Sequence, residues 1–347
     1  MRGSTDIRSR LGTVRETALL HSGRARGLAQ LARLGRGDRP IVAGPFVSEV
    51  GFESLYWVPM LRWFARAYEV DPQRLVAFSR GGPASWYDGL AGRYVEVFDH
   101  VSPGELKRRQ AARVQATRNQ KQFGVDPFER ELLAKAGLDD GYELLSPSLM
   151  YGLFWSYWAQ RAPIRRVLER TEFKPFAHTR ATAPDGLPAD YVAVKAYFSD
   201  CFPDTEGNRR FLEDLLARLA ANHDVVLLGT GIDVDDHREH DSGARERIHD
   251  VTGRMQPRDN LEVQSEIVRG ARALYTTYGG FAHLGPFLGT PTCAFYSADT
   301  FNPAHLDVMG RAVTALRRRT GSGFTLHHVD DLLLPGGLTG ALAEAIG

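Results

Sequence analysis

From Pro40 onward the chain alternates between short apolar runs and amphipathic stretches, and this alternation restricts its fold more than any other feature. Ile41-Val42-Ala43 is a brief apolar run closed by Gly44-Pro45, which reads as a strand running into a turn. Between Phe52 and Tyr68 the positions Phe52, Leu55, Tyr56, Val58, Leu61, Phe64 and Ala65 recur mostly at spacings of three and four, the helical period. A strand over 74–78, the Gly-rich turn Arg80-Gly81-Gly82-Pro83, a helix near Trp86 and a strand over 94–98 follow. Ser102-Pro103-Gly104-Glu105 then has the form of a capping box with proline at the first helical position, opening a helix that runs to about Gln122.

The stretch 181–190 holds two prolines and a glycine with little bulky apolar content, and reads as a linker. A second alternation follows it: strands over 191–197, 224–228, 247–251, 273–277 and 292–296, with helices over 205–221, 261–269 and 281–288. Two such series predict an α/β protein of two Rossmann-like, doubly wound domains facing each other across a cleft, with ligands at the carboxyl ends of the strands. The expected division is a basic helical extension over 1–39, one domain over 40–180 and a second over 190–347. A chain of 347 residues is long enough for both cores.

Charge and cysteine content narrow the function classes. Lys and Arg (43) nearly balance Asp and Glu (42), leaving +1, without the excess of a dedicated nucleic-acid binder. The basic helix after Ser102 carries Lys107, Arg108, Arg109, Arg113, Arg118 and Lys121 with no interleaved aromatic, so a solvated face is expected there. Two cysteines, Cys201 and Cys293, provide neither a disulfide framework nor a zinc site, which suits a reducing cytoplasm. No run approaches the ~20 apolar residues of a membrane span. Tyr142 to Trp158 comes nearest and, interrupted by Glu143, Ser146, Pro147 and Ser156, suits a packed helix or groove wall. Residues 1–40 hold nine arginines against Asp6, Glu16 and Asp38 and lack an uncharged core, so they are not a secretory signal. They read either as a solvated basic helix or as a weak attachment to the anionic inner face of a membrane. A cytoplasmic protein is expected.

The segment with most chemical content is Tyr278-Gly279-Gly280-Phe281-Ala282-His283, where a strand ends on two glycines and a helix opens. Glycines there would let backbone approach a ligand, and the helix start would turn free NH groups and its positive dipole end toward a diphosphate. A tight turn before a buried helix is the plainer alternative. Lys195, in the strand opening the second half, and Arg209 on the following helix are candidates to neutralise the diphosphate, with the loop Ser199–Asp204 beside them. In the first half, Glu49 and Glu53 lie where the first strand passes into its helix. A carboxylate there could accept the proton of an attacking hydroxyl, or Glu53 could simply stabilise the first helical turn. Arg80 could bind an anionic acceptor or a donor phosphate, and Ser48 and Trp86 stand with it on the expected acceptor side. His283 could touch phosphate or ribose, or pack as a hydrogen-bonded core histidine. Asp233-Val-Asp235, with His237 and His240 nearby, mimics a metal motif but reads as a polar surface loop. His327-His328 has no partner at ligand spacing, and Gly229-Thr-Gly231 is not a dinucleotide fingerprint.

The run Gly279-Gly-Phe-Ala-His-Leu-Gly-Pro-Phe-Leu-Gly-Thr-Pro291, with Ala294-Phe-Tyr-Ser-Ala-Asp299 after it, resembles the donor-site signature of the ADP-heptose lipopolysaccharide heptosyltransferase family. Glu53-Ser-Leu-Tyr-Trp-Val-Pro-Met-Leu61 resembles the same family's amino-terminal motif, with Glu53 where the family's catalytic aspartate stands. Two departures are visible: Tyr278 replaces an acidic residue before the glycine pair, and one residue separates Gly51 from Glu53 where the family has none. The resemblance implies the glycosyltransferase B fold and transfer from a nucleotide-diphosphate sugar, the co-substrate, to a hydroxyl of a glycan, lipid-linked or small-molecule acceptor. It further implies inversion, no metal or other cofactor, donor contacts from Tyr278 to Phe281 and His283, and catalysis by Glu53, or Glu49, with Lys195. A sugar-nucleotide 2-epimerase of the same fold and a non-catalytic nucleotide-sugar binding protein are the alternatives.

Overall fold

A computed structural model describes residues 24–117, 121–178, 181–232, 238–239 and 246–346. The first half is built on four parallel strands, β1 (Ile41–Phe46), β2 (Leu75–Ser79), β3 (Arg93–Glu96) and β4 (Glu143–Leu145), in the order β3-β2-β1-β4. All six residues of β1 are buried, as a parallel strand covered on both faces requires. The second half holds six parallel strands: β5 (Tyr191–Lys195), β6 (Asp224–Leu227), β7 (Ile248–Asp250), β8 (Leu274–Thr277), β9 (Thr292–Tyr296) and β10 (Phe324–His328). Their order is β10-β9-β8-β5-β6-β7. Counted within this half, that is the doubly wound nucleotide-binding order, whose direction reverses between its first and fourth strands, β5 and β8.

The helices refine several expectations. Residues 24–36 form helix α1, which is docked on the fold: Leu31 and Leu34 are fully buried and Arg33 pairs with Glu143 at 2.8 Å. The packed structure therefore starts upstream of Pro40. Helix α2 follows β1 in three segments, Val50–Phe52, a π-turn over Glu53–Trp57, and Val58–Ala67. The Val58 N–H reaches back five residues to the Glu53 carbonyl, and Pro59, which has no N–H to donate, immediately follows that change of register.

After α3 (Pro103–Thr117) the half is completed by α4 (Pro127–Lys135), α5 (Pro147–Trp158) and α6 (Arg165–Leu168). The second half adds α7 (Glu206–Ala220), α8 (Asn260–Gly270), α9 (Gly280–Phe287), α10 (Pro303–Thr320), α11 (Val329–Leu333) and α12 (Gly337–Ile346). Helix α10 and strand β10 lie beyond the last element read from the sequence. The helix carries clear end signals, an Asn302 cap, Pro303 and a left-handed Gly321. β10 is half-buried along its length at the sheet edge and lacks the apolar run of a central strand.

The two sheets share one apolar core, in which Trp57, Phe64 and Phe154 of the first half join Leu284, Phe287 and Val308 of the second. Polar bonds cross the same boundary. Ser85 Oγ donates to Glu262 at 2.9 Å, Trp86 Nε1 to Ser265 at 3.0 Å, and Tyr157 OH to the Ala304 carbonyl at 2.8 Å. Before the linker, Phe176 stacks between Trp86 and Phe287, with centroids 5.2 and 4.9 Å away.

Candidate active site

A cavity of about 590 Å³ lies where the nucleotide-binding order reverses. Its walls come from the residues after β5 (Lys195, Tyr197, Ser199 to Cys201), after β6 (Thr230, Ile232) and after β8 (Tyr278 to Phe281), and from the start of α8 (Asn260, Leu261, Gln264). The first half faces it with Glu49 to Phe52, Tyr56, Arg80 and Lys121, and α10 closes one side through Asn302 and His305. Ligand sites in open parallel sheets form at this reversal because the loops on either side diverge to opposite faces.

On the second-half side, Lys195 is buried, donates to the Leu228 carbonyl at 2.5 Å and stands 5.4 Å from the Phe281 ring. Its charge is thereby held at the cavity wall beside the first turn of α9. Tyr278 and His283 also line the space, with the tyrosine hydroxyl 3.5 Å from His283 Nε2. Burial pushes the His283 pKa down to about 4, and that of His305 to about 3, so both rings are neutral near pH 7. His283 therefore offers hydrogen bonds but no positive charge to a phosphate. Arg209 is elsewhere: exposed, and paired with Asp204 at 2.6 Å.

The glycine pair has a structural reason of its own. A Cβ on Gly280 would stand 3.0 Å from the Gly51 nitrogen and 3.1 Å from the Val50 Cβ, and one on Gly51 would stand 2.9 Å from His283 Nδ1. A Cβ on Gly279 would collide with the Tyr197 hydroxyl. Gly51 and Gly280 thus let the two halves touch backbone to backbone at the cavity wall, and Gly279 leaves room for Tyr197 of its own half.

The two glutamates are separated by the structure. Glu49 lines the cavity, with Lys121 at 2.5 Å and the Lys121 ammonium 3.9 Å from the Phe52 ring. Glu53, favoured by motif register, is only 1% exposed and is not part of the cavity wall. Its Oε1 accepts from Ser79 Oγ and Tyr87 OH, each at 2.5 Å. Desolvation pushes its pKa up to about 7 despite those bonds and the nearby Arg80. One turn of helix separates the residues, and it carries Glu53 into the core.

On the expected acceptor side, Arg80 lines the cavity and donates to the Ser48 carbonyl at 3.0 Å. Ser48 accepts at its Oγ from Tyr151 OH at 2.8 Å and, like Trp86, does not line the cavity. Trp86 is fully buried in the joint between the halves. The turn beside Arg80 already holds a carboxyl group of the chain's own: Glu96 accepts from the amides of Gly81 at 2.9 Å and Gly82 at 2.6 Å, and burial pushes its pKa up to about 7.

Residues not singled out from the sequence complete the wall, among them Tyr56, Asn260, Gln264 and His305. Tyr56 OH lies 2.7 Å from His305 Nδ1. Gln264 donates to the Asn260 carbonyl at 3.1 Å, while its buried Oε1 has no partner among the described residues. Asn260 and Gln264 sit at the start of the helix after the third strand of the nucleotide order, a position the topology rule could have flagged. The Asp233-Val-Asp235 motif, His237 and His240 lie outside the described residues. Among those described, no group of three His, Cys, Asp or Glu side chains could hold a metal ion, and no helix is long and apolar enough to cross a membrane.

No family model and no curated protein matches this sequence. Among solved structures the chain is similar to E. coli ADP-heptose lps heptosyltransferase II, at 12% identity and a TM-score of 0.45, over 88% of this chain and 99% of that one. It is also similar to a family 9 glycosyltransferase from Veillonella parvula, at 14% identity and a TM-score of 0.46, over 89% and 91%. A third is E. coli heptosyltransferase WaaC solved with ADP, at 14% identity and a TM-score of 0.45, over 88% and 94%.

Proposed function

We propose that the cavity binds a nucleotide-diphosphate sugar and that the protein transfers the sugar to an acceptor hydroxyl. The observation that carries this reading is the meeting, at the reversal point of a nucleotide-order sheet, of Lys195 and the α9 start on one wall with the Glu49 carboxylate on the other. The resemblance of the α9 segment to a nucleotide-sugar donor motif agrees with it. Lys195 and the first amides of α9 would stabilise the departing diphosphate, while Glu49 takes the acceptor proton for a single in-line, inverting displacement. In this mechanism Lys121 holds Glu49 at the cavity until an acceptor arrives, and no metal is required. The acceptor is proposed to be a glycan, lipid-linked or small-molecule hydroxyl.

Two measurements test this. A panel of nucleotide sugars should include one that raises the melting temperature, since a ligand at a hundredfold over its Kd adds about 2.7 kcal/mol. With that donor and a competent acceptor, Glu49→Gln should lower kcat at least about a hundredfold while donor affinity stays within a few fold, in EDTA as in its absence. Full turnover by Glu49→Gln would remove the base assignment, and a panel without any binder would remove the function.

A further inference from the structure

A second constellation lies outside the cavity, on the face made by α1, the carboxyl end of α5 and α6. Arg24 and Arg26 project from α1, Arg165 and Arg166 belong to α6, and Arg170 follows it. Among the described residues, the charged groups acting on Arg24 are Arg170 and Arg166, which repel it, and Glu169, which offsets them in part. That single glutamate is also shared by Arg165 and Arg170, at 3.3 Å from each.

An aromatic pair adjoins these cations. Phe123 and Trp155 are each 39% exposed and meet edge to face with centroids 5.3 Å apart, whereas Trp57, Trp86 and Trp158 are buried. A shallow groove between α1 and α5 joins the two features. Its lining includes Arg26, the Arg33–Glu143 ion pair, Gly124 and Gly152, the glycines lying next to Phe123 and one turn before Trp155. On its other side Phe123 packs on Tyr151, which packs on Phe52 of the cavity wall, so ring contacts connect this face to the cavity.

We propose that this face is a docking surface for an anionic lipid bilayer. The arginines meet the negative surface potential, and Trp155 and Phe123 enter the headgroup layer, where amphipathic rings are favoured. The assignment does not depend on the reaction proposed for the cavity.

The full chain is tested by co-sedimentation with vesicles of phosphatidylcholine alone and of phosphatidylcholine mixed with phosphatidylglycerol. It should sediment with the mixed vesicles only and be released by high salt. Joint replacement Arg24→Gln, Arg26→Gln, Arg165→Gln and Arg166→Gln should weaken partitioning at least about tenfold, with an unchanged circular dichroism spectrum. Brominated lipid should quench tryptophan fluorescence in the parent, and Trp155→Phe should abolish most of that quenching. Unchanged partitioning of the arginine variant, or quenching that survives Trp155→Phe, would overturn the assignment by placing the contact elsewhere. So would binding to single-stranded RNA without binding to the mixed vesicles.

Discussion

Glu53 is a carboxyl group that folding has taken out of water, and this gives it a measurable pH signature. Its pKa rises from the ordinary 4.5 to about 7 on burial, so the folded state holds the proton more tightly than the unfolded one. Its contribution to stability is therefore full below about pH 4.5 and is lost as pH rises through about 7. Glu96 and Glu129 are shifted in the same direction and to about the same value. Glu53→Gln keeps the shape and an acceptor for Ser79 and Tyr87, and removes one of the three titrations. Urea midpoints at pH 5 and pH 8 should differ less in the variant than in the parent. Equal differences would mean that Glu53 does not hold its proton in the fold. At this scale the residue types and their neighbourhood were legible in the sequence: two carboxylates after a first strand, a lysine in the strand opening the second half, an arginine beside a Gly-rich turn. Which carboxylate faces the cleft was not, because that depends on how α2 seats against α9 from the other half.

The α2–α9 contact gives the glycine pair a packing role that an element-level reading of the sequence did not include. Strand, double glycine and helix follow one another as read, but the space the glycines leave is filled by protein. A Cβ at Gly280 meets Gly51 and Val50, and one at Gly51 meets His283 and Gly280, so either substitution wedges the same gap. Gly51→Ala and Gly280→Ala should each destabilise the fold by about 1–3 kcal/mol, the usual cost of overpacking. Because both act on one contact, the double variant should lose clearly less than the two single losses added together, which denaturant titration can measure. Additive losses would show that the two helices separate freely. The strands missing from the sequence reading share one cause: their evidence is tertiary. β4 has three residues and is recognised by its pairing with β1, and β10 is a half-buried edge strand.

At the scale of the whole molecule, the alternation of strands and helices was enough to establish two parallel sheets, and the stretch 181–190 to separate them. What the alternation could not reveal is how firmly they are joined, since the joint consists of contacts between residues far apart in the chain. The segment before the linker is itself part of that joint: Phe176 is stacked between Trp86 and Phe287, its N–H donates to the Phe287 carbonyl at 2.8 Å, and Arg62 lies 5.2 Å from its ring. Covalent continuity a few residues later then becomes dispensable once folding is complete. A specific protease site inserted between Asp185 and Gly186 and cut in the native protein should yield two polypeptides that still co-elute in gel filtration at the mass of the intact chain. They should part only in denaturant, as a nicked protein held by its interface does, and separation in plain buffer would show that the tether had been carrying the assembly.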